Sequence, residues 1–120
     1  SPFNKKIIMK KLITIGLATL LVSFSGKNIE SASFYADKYH GRTAADGSKF
    51  SQTKMTAASN QHPLGTKIRV TNTVNNKSVD VKVTDRLHKK YSHRVDLSKS
   101  AFMAIAPLSQ GIAKVRVEKL

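Results

Sequence analysis

The chain has 120 residues, with 21 Lys and Arg against 7 Asp and Glu, 4 His, and neither Cys nor Trp. This length allows one domain, and a hydrophobic content of 40% supports a small core, which excludes a disordered basic tail. The absence of cysteine excludes disulfide scaffolds, thiolate zinc sites and cysteine nucleophiles, whereas the net charge of +14 points to an anionic partner: nucleic acid, a membrane surface or a cell-wall polymer.

The first 25 residues have the pattern of an export signal. Lys10 and Lys11 precede the uncharged run 12–24, and small residues flank Phe24, where a signal peptidase requires them. We therefore predict a signal peptide over 1–25. A membrane anchor or a buried helix is the alternative interpretation, although this apolar run is too short to span a hydrocarbon core of ~30 Å unaided.

Export changes the expected partners. Four of the 21 basic side chains and none of the 7 acidic ones lie in residues 1–25, so the rest of the chain carries a net charge of +10. Nucleic acid then becomes a minor alternative, and an anionic polymer of the periplasm or cell wall is favoured. Met9 has the position of a natural start, and residues 1–8 are interpreted as an upstream extension. Because no cysteine follows the apolar run, we expect no lipid anchor and no stable membrane anchor after cleavage.

After a polar lead-in, 26–32, the chain has the pattern of strands and turns. Strict alternation of apolar and polar residues predicts most of the strands, and a short apolar run supplies the first one. The candidate strands are 33–36, 67–71, 79–83 and 113–118. Asn75 and Asn76 tolerate positive φ angles, so the second and third of these strands are predicted to form a hairpin.

One short helix is predicted before the last strand. Ser98 can cap it, apolar residues follow at helical spacing from Ala101, and Pro107 ends it. Several strands, one helix and a final strand over residues 33–120 favour a mainly β fold, a small closed barrel of six short strands.

Two carboxylates are the first candidates for chemistry. Asp85 follows the strand 79–83 at a strand-to-loop junction, and Asp96 lies just before the predicted helix. Asp85 could simply cap a turn, and Asp96 could simply interact with the helix dipole. Two carboxylates on loops that flank one segment also suit sugar chemistry, in which one protonates the glycosidic oxygen and the other orients or activates. Their spacing leaves both interpretations open.

Aromatic, basic and other polar side chains give weaker signals. The tyrosines could stack on sugar rings or pack in the core or at the barrel rim, and the basic residues near Asp85 could form a solvated loop or hold anionic groups of a polymer. These tyrosines are Tyr35, Tyr39 and Tyr91, and these basic residues are Arg86, Lys89, Lys90 and Arg94. The histidines lack ligand spacing, so no metal site is expected, and Ser48 and Ser59 lack a His–Asp relay, which leaves a serine hydrolase unsupported.

Eight short segments occur in a specific order along the chain. They are 32–36 (ASFYA), 40–47 (HGRTAADG), 55–58 (MTAA), 63–66 (PLGT), 70–72 (VTN), 83–86 (VTDR), 94–98 (RVDLS) and 115–118 (VRVE). Together they resemble the conserved blocks of rare lipoprotein A-like (RlpA-like) domains, over residues 33–120. The resemblance implies a six-stranded double-psi β-barrel with one or two short helices, the fold of barwin and expansins.

The resemblance also implies an activity, endolytic cleavage of peptidoglycan glycan strands by lytic transglycosylation in cell wall organisation. In that reaction the C6 hydroxyl of N-acetylmuramic acid attacks its own anomeric carbon, so one carboxyl group acts first as acid and then as base. Asp85 matches the acidic residue of the family's V-x-D-R block and is the expected catalytic residue. Asp96 matches the D-L-S aspartate, and it is expected to line the substrate groove together with Arg86 and Tyr35. No cofactor is expected, and the protein is expected to be a monomer.

Three features depart from the family pattern. Ser48 stands where the family usually has Glu, and Ser59 where it usually has His, and both positions are implicated in catalysis in active members. His62 is a candidate to replace the imidazole. The Gly-Pro turn that usually follows Arg86 is replaced by Leu-His. These departures favour an alternative, a non-catalytic, expansin-like peptidoglycan-binding module.

Overall fold

The computed structural model describes residues 28–120. The signal peptide predicted over 1–25 lies outside these residues. Within 28–120, no helix combines the length and the apolar character that crossing a lipid bilayer requires.

Six strands close into a barrel. They are β1 (Ile29–Phe34), β2 (Thr56–Ser59), β3 (Lys67–Asn72), β4 (Ser78–Asp85), β5 (Arg94–Leu97) and β6 (Ala113–Lys119). Their order around the barrel is β1-β5-β2-β4-β3-β6. The pairs β1–β5 and β2–β4 are parallel, and the remaining pairs are antiparallel. A closed six-stranded barrel of mixed strand direction fits the double-psi β-barrel, and the predicted fold class is confirmed.

The alternating segments form the strands that their pattern predicts. β3 and β4 make the predicted hairpin, whose turn holds Asn76 at a φ of 63°, and β6 follows the last alternation. β1 begins earlier than the predicted strand, at Ile29. β2 and β5 have four residues each, too few to stand out by pattern, and the pairing with their neighbours defines them.

Within residues 28–120, one α-helix and two 3₁₀ turns accompany the six strands. They are α1 (Lys99–Met103) and the turns Asp37–Tyr39 and Leu108–Gln110. The predicted cap of α1 is confirmed, because the Ser98 hydroxyl accepts a hydrogen bond from the Ala101 amide at 3.2 Å. The helix ends at Met103, before Pro107, and the proline precedes the second 3₁₀ turn.

The barrel interior holds one apolar core. Inward-facing side chains of all six strands meet α1 there, and Phe102 is the largest of the fully buried side chains. The ring of Phe102 contacts Phe34 edge-on, with 5.0 Å between the ring centroids. Since the apolar side chains fill the interior, the polar groups at the strand ends and in the loops are the ones available for chemistry.

Glu30 is an exception, a carboxyl group buried on the same face of β1 as Ala32. Burial raises its pKa from the ordinary 4.5 to about 7. The native state therefore binds this proton more tightly than the unfolded chain does. The resulting stabilisation is complete below pH 4.5 and is lost as the pH rises through about 7.

We therefore expect the melting temperature of the wild-type protein to fall across this pH interval, and that of Glu30→Gln to fall less, because glutamine does not titrate. Melting curves in a pH series measure this difference. Glu118→Gln is the matched control, since Glu118 is half-exposed on β6 and should leave the wild-type pH dependence unchanged. Parallel curves for wild type and Glu30→Gln would contradict the expectation.

Candidate active site

Asp85 ends strand β4 and lies half-buried where the strand meets its loop. Its Oδ1 accepts hydrogen bonds from the amides of Ala45 and Arg86, each at 2.9 Å. Its Oδ2 accepts one from the Tyr35 hydroxyl, also at 2.9 Å. The loop that carries Ala45 is itself attached to β4, because the Asp46 amide donates to the Thr84 carbonyl at 3.1 Å. Three donors from three parts of the chain therefore fix the position of one carboxylate.

Tyr35 follows β1 and connects this carboxylate to an aromatic cluster. Its ring stacks on Phe50, with 4.0 Å between centroids and 20° between planes, and meets Tyr39 edge-on at 5.9 Å. Burial, and then the hydrogen bond to Asp85, raises the pKa of Tyr35 well above its ordinary value. Tyr35 therefore stays a neutral phenol, which can donate a hydrogen bond to a carboxylate or accept one from a carboxylic acid.

Asp96 belongs to a second polar cluster, on β5. Its Oδ1 accepts hydrogen bonds from Arg94 Nε at 2.9 Å and from the Ser33 hydroxyl. Arg94 also donates through Nη2 to Ser33 Oγ at 3.0 Å, and its guanidinium lies 4.6 Å from the centroid of the Tyr91 ring. The parallel pairing of β1 with β5 places Ser33 opposite Asp96. The barrel topology thus assembles this cluster.

The guanidinium of Arg86 forms hydrogen bonds with main-chain carbonyl groups. Its Nη1 donates to the carbonyl oxygens of Ser59 and His62, each at 2.5 Å. The guanidinium therefore binds the main chain at the end of β2 and holds the β4–β5 loop against it.

The side chain of Asn60 also binds the loop between β4 and β5. Its Nδ2 donates to the carbonyl oxygens of His88 and Tyr91, each at 3.0 Å, and its Oδ1 accepts from the Leu87 amide at 3.0 Å. One side chain thus fixes both ends of the segment 87–91, which carries His88.

A groove of about 410 Å³ joins the two carboxylates. It brings together the four residues expected there, which are Asp85, Asp96, Arg86 and Tyr35. It is also lined by Phe34, Ala36, Tyr39, Ala58, Leu87, His88 and Arg94. The sequence predicts Arg94 only as a basic residue that could hold anionic groups. Its pairing with Asp96 could also have been predicted, since residues two apart on a strand share a face. The position of His88 in the groove depends on the hydrogen bonds of Asn60 to residues 87–91. Asn60 is far from this segment in the sequence, so no local pattern predicts that position.

Ser48 and Ser59, which replace the family's Glu and His, bond locally, and His62, the candidate to replace the imidazole, lies apart from this groove. Ser48 donates its hydroxyl to Asp46 at 2.6 Å. Ser59 is fully buried, and its Oγ accepts from the Gln61 amide at 3.1 Å. His62 lines a different cavity, beside Glu30, so it does not take the place of a groove imidazole. The imidazole that does line the groove belongs to His88.

Among residues 28–120, no three His, Asp or Glu side chains are grouped so that they could hold a metal ion. The chemistry that these residues offer is that of carboxyl groups, a phenol, an imidazole and cations around an open groove.

Comparison with known proteins shows to which family this chain belongs. A family model described as lytic transglycolase matches residues 28–117. The endolytic peptidoglycan transglycosylase RlpA of Rickettsia prowazekii is 42% identical over 92 residues, which are 74% of this chain and 29% of that protein. The protein of the same name from Neisseria meningitidis serogroup A is 37% identical over 90 residues, covering 75% of this chain and 38% of that protein. The chain thus spans less than two fifths of the length of these two relatives.

Solved structures with the same fold have lower identity. A Clavibacter michiganensis expansin is 24% identical with a TM-score of 0.61, over 78% of this chain and 50% of that one. The Streptomyces papain inhibitor is 23% identical with a TM-score of 0.58, over 73% of this chain and 90% of that one. These similarities concern the fold alone.

Proposed function

Because the chain belongs to the lytic transglycolase family, whose model matches residues 28–117, we propose that it is an endolytic peptidoglycan lytic transglycosylase. It would cleave glycan strands and leave 1,6-anhydro ends. The observation that carries the proposal is the groove in which Asp85, held by three donors, lies near a second carboxylate, Asp96.

In this proposal Asp85 is the catalytic acid and base. Its protonated carboxyl group gives a proton to the glycosidic oxygen as the bond to the anomeric carbon breaks. The carboxylate then accepts the proton of the C6 hydroxyl as that oxygen bonds to the same carbon. The proton balance closes and no water is consumed, so one carboxyl group suffices. The hydroxyl of Tyr35 at Oδ2 and the amides of Ala45 and Arg86 at Oδ1 keep the carboxyl group in place while its proton leaves and returns.

Asp96 has a supporting role. Its partners Arg94 and Ser33 hold its side chain at the groove wall, where the carboxylate would stabilise the positive charge that develops at the anomeric carbon. The Tyr35 and Tyr39 rings would contact the apolar faces of sugar rings. Arg86 would act by holding the loop that carries the groove wall.

The location of this substrate completes the proposal. Peptidoglycan lies outside the cytoplasm, so we propose that residues 1–25 direct export and that the barrel domain works as a monomer in the periplasm or cell wall. The net charge of +10 that remains after residue 25 would favour attachment to an anionic wall without determining the chemistry.

Mass spectrometry of the soluble products from purified sacculi tests this activity. The purified protein is expected to release muropeptides with 1,6-anhydro ends. Products with reducing ends would identify a hydrolase and overturn the assignment.

The second candidate function is a non-catalytic, expansin-like module that binds peptidoglycan. Ser48 and Ser59 favour it, because they stand at two positions that the family resemblance assigns to Glu and His, and both hydroxyl groups bond locally. Co-sedimentation with sacculi in the absence of any soluble product would identify this module.

Tyr35→Phe tests the phenol that contacts the catalytic residue. The variant keeps the ring stacked on Phe50 and loses only the hydrogen bond to Asp85. Hydrogen bonds to a charged group contribute about 1.5–3 kcal/mol, so we expect a lower melting temperature. At temperatures where the variant stays folded, the rate of product release should fall roughly 10-fold to 100-fold, because no side chain then holds Oδ2 of Asp85 in position.

Tyr39→Phe is the matched control, because Tyr39 contributes its ring to the same cluster and is more exposed. Its rate should stay within about twofold of wild type. Equal losses in the two variants would show that Tyr35 acts through packing rather than through its hydroxyl.

A further inference from the structure

A second cavity lies apart from the groove. Its volume is about 150 Å³. It is lined by Asn28, Glu30, Gln61, His62, His93 and Val117, none of which lines the groove of Asp85. It therefore needs an explanation that the proposed transglycosylase activity does not supply.

Glu30 is the feature that makes this cavity unusual. Its side chain is more than nine-tenths buried, with 7% exposed. Its Oε1 is fully buried and has no hydrogen-bond partner, the only such side-chain atom in the described part of the chain. A buried carboxyl oxygen without a donor destabilises the native state unless something binds to it.

Two other residues that line the cavity, Gln61 and His62, offer hydrogen-bond acceptors. Gln61 donates through Nε2 to the Ser92 carbonyl, so its Oε1 is the atom left to accept. Burial, and then the charge of Lys119, lowers the pKa of His62, which keeps the ring neutral with one acceptor nitrogen. No Lys or Arg is among the lining residues. A carboxyl group among acceptors, without a cation of its own, has the chemistry of a site for a cation that donates hydrogen bonds.

Two observations limit the type of cation. Among residues 28–120, no three His, Asp or Glu side chains are placed to hold a metal ion. At about 30 Å³ per water molecule, the cavity has room for roughly five waters, which also fits a short alkyl chain with an ammonium head.

We propose that this cavity binds a primary ammonium group, whose N–H bonds are shared among Glu30, Gln61 and His62. The ammonium group belongs either to a small free amine or to an amino group carried on a peptide. The site is independent of the proposed function, because it shares no lining residue with the groove.

NMR titration at pH 8 tests the site with two probes, ethylammonium and the amide of N-acetyl-lysine. Both should cause saturable shifts of the amides of residues 28–31 and 61–62 and of the Gln61 side-chain amide. Tetramethylammonium at equal ionic strength is the ligand control, since it carries the charge but has no N–H to donate. Saturation by ethylammonium alone would assign the site to small amines, and saturation by both probes to an amino group on a longer chain.

Glu30→Gln should weaken binding of ethylammonium at least tenfold, whereas Glu118→Gln, a carboxylate of β6 outside the cavity, should bind as wild type does. Binding should also weaken as the pH falls through about 7, where Glu30 takes up a proton. The groups that face Glu30 and titrate or carry charge nearby are His62, His93 and, through His62, Lys119.

A carbon-13 titration of the Glu30 carboxyl group gives a measurement that needs no variant. Bound ethylammonium should lower the pKa of Glu30, because a nearby cation favours the carboxylate. Shifts that stay linear to high concentration, equal shifts with tetramethylammonium, or unchanged affinity in Glu30→Gln would each overturn the site. None of these measurements depends on glycan cleavage, so a failure here is distinct from a failure of the proposed function.

Discussion

Replacing Asp85 by Asn is expected to abolish the release of 1,6-anhydro muropeptides from purified sacculi. A carboxyl group that transfers a proton in the transition state contributes a rate factor of about 10²–10⁴, and an amide cannot replace it. The loss should therefore be at least of this order, below detection in an end-point digest. Continued release of anhydro products would end the assignment of Asp85 as acid and base.

The substitution is well suited to this purpose because the site can hold an asparagine. The side-chain Oδ1 of asparagine can still accept from the amides of Ala45 and Arg86, and its Nδ2 can donate to the Tyr35 oxygen. We therefore expect a melting temperature close to wild type, so that lost activity reports chemistry rather than unfolding.

Asp80→Asn is the matched control, because it also replaces an aspartate of β4 by asparagine and removes the same charge. Asp80 lies on the same strand, β4, and its half-exposed side chain pairs with Arg69 at 2.7 Å. Exposed ion pairs contribute little to stability, and Asp80 does not line the groove. Its variant should release anhydro products at the wild-type rate, and a loss equal to that of Asp85→Asn would point to net charge instead of catalysis.

Phe102→Ala is expected to have the largest effect on stability. Phe102 is fully buried, lies on α1 and meets Phe34 edge-on across the core. Truncation of a buried phenylalanine costs about 3–5 kcal/mol, because apolar contacts are lost and a cavity remains. Domains of this size have a total stability of about 5–15 kcal/mol, so this loss is a large share of it and the urea midpoint should fall sharply.

Urea denaturation of Phe102→Ala and Met103→Ala measures this effect. Met103 is the next residue of the same helix, but 55% of its surface is exposed. Its replacement should change the free energy of unfolding by no more than about 0.5 kcal/mol. Similar losses in the two variants would mean that burial of the Phe102 ring does not explain what α1 contributes to stability.

The elements that the sequence predicts well are those whose signals are local. The hairpin of β3 and β4 and the last strand alternate over five or more residues, and Ser98 lies three residues before the amide that it caps. β2 and β5 are too short for such a pattern. Each lies between one parallel and one antiparallel neighbour, and only the closed barrel determines where they begin and end.

Some residues of the candidate site could be predicted from the sequence and others could not. Asp85 and Asp96 lie in sequence segments that resemble a known family, so both could be predicted. The donors around them could not, because Ala45 is 40 residues from Asp85 and Ser33 is 63 residues from Asp96. His62 shows the opposite case, since its closeness in sequence to Ser59 suggested a groove position, whereas its side chain lines the cavity beside Glu30.

The pairing of β6 with both β1 and β3 has a consequence for how the chain folds. A chain is synthesised from its amino end, so β1 is made long before β6. One edge of β1 therefore has no partner strand until Ala113–Lys119 has been synthesised. Contacts of such high sequence separation form slowly, since the whole intervening loop must be ordered first. Until then β1 and β3 each present an unpaired edge that can recruit other strands. The barrel is therefore expected to close only after β6 has been synthesised, and this strand controls when the barrel finishes folding.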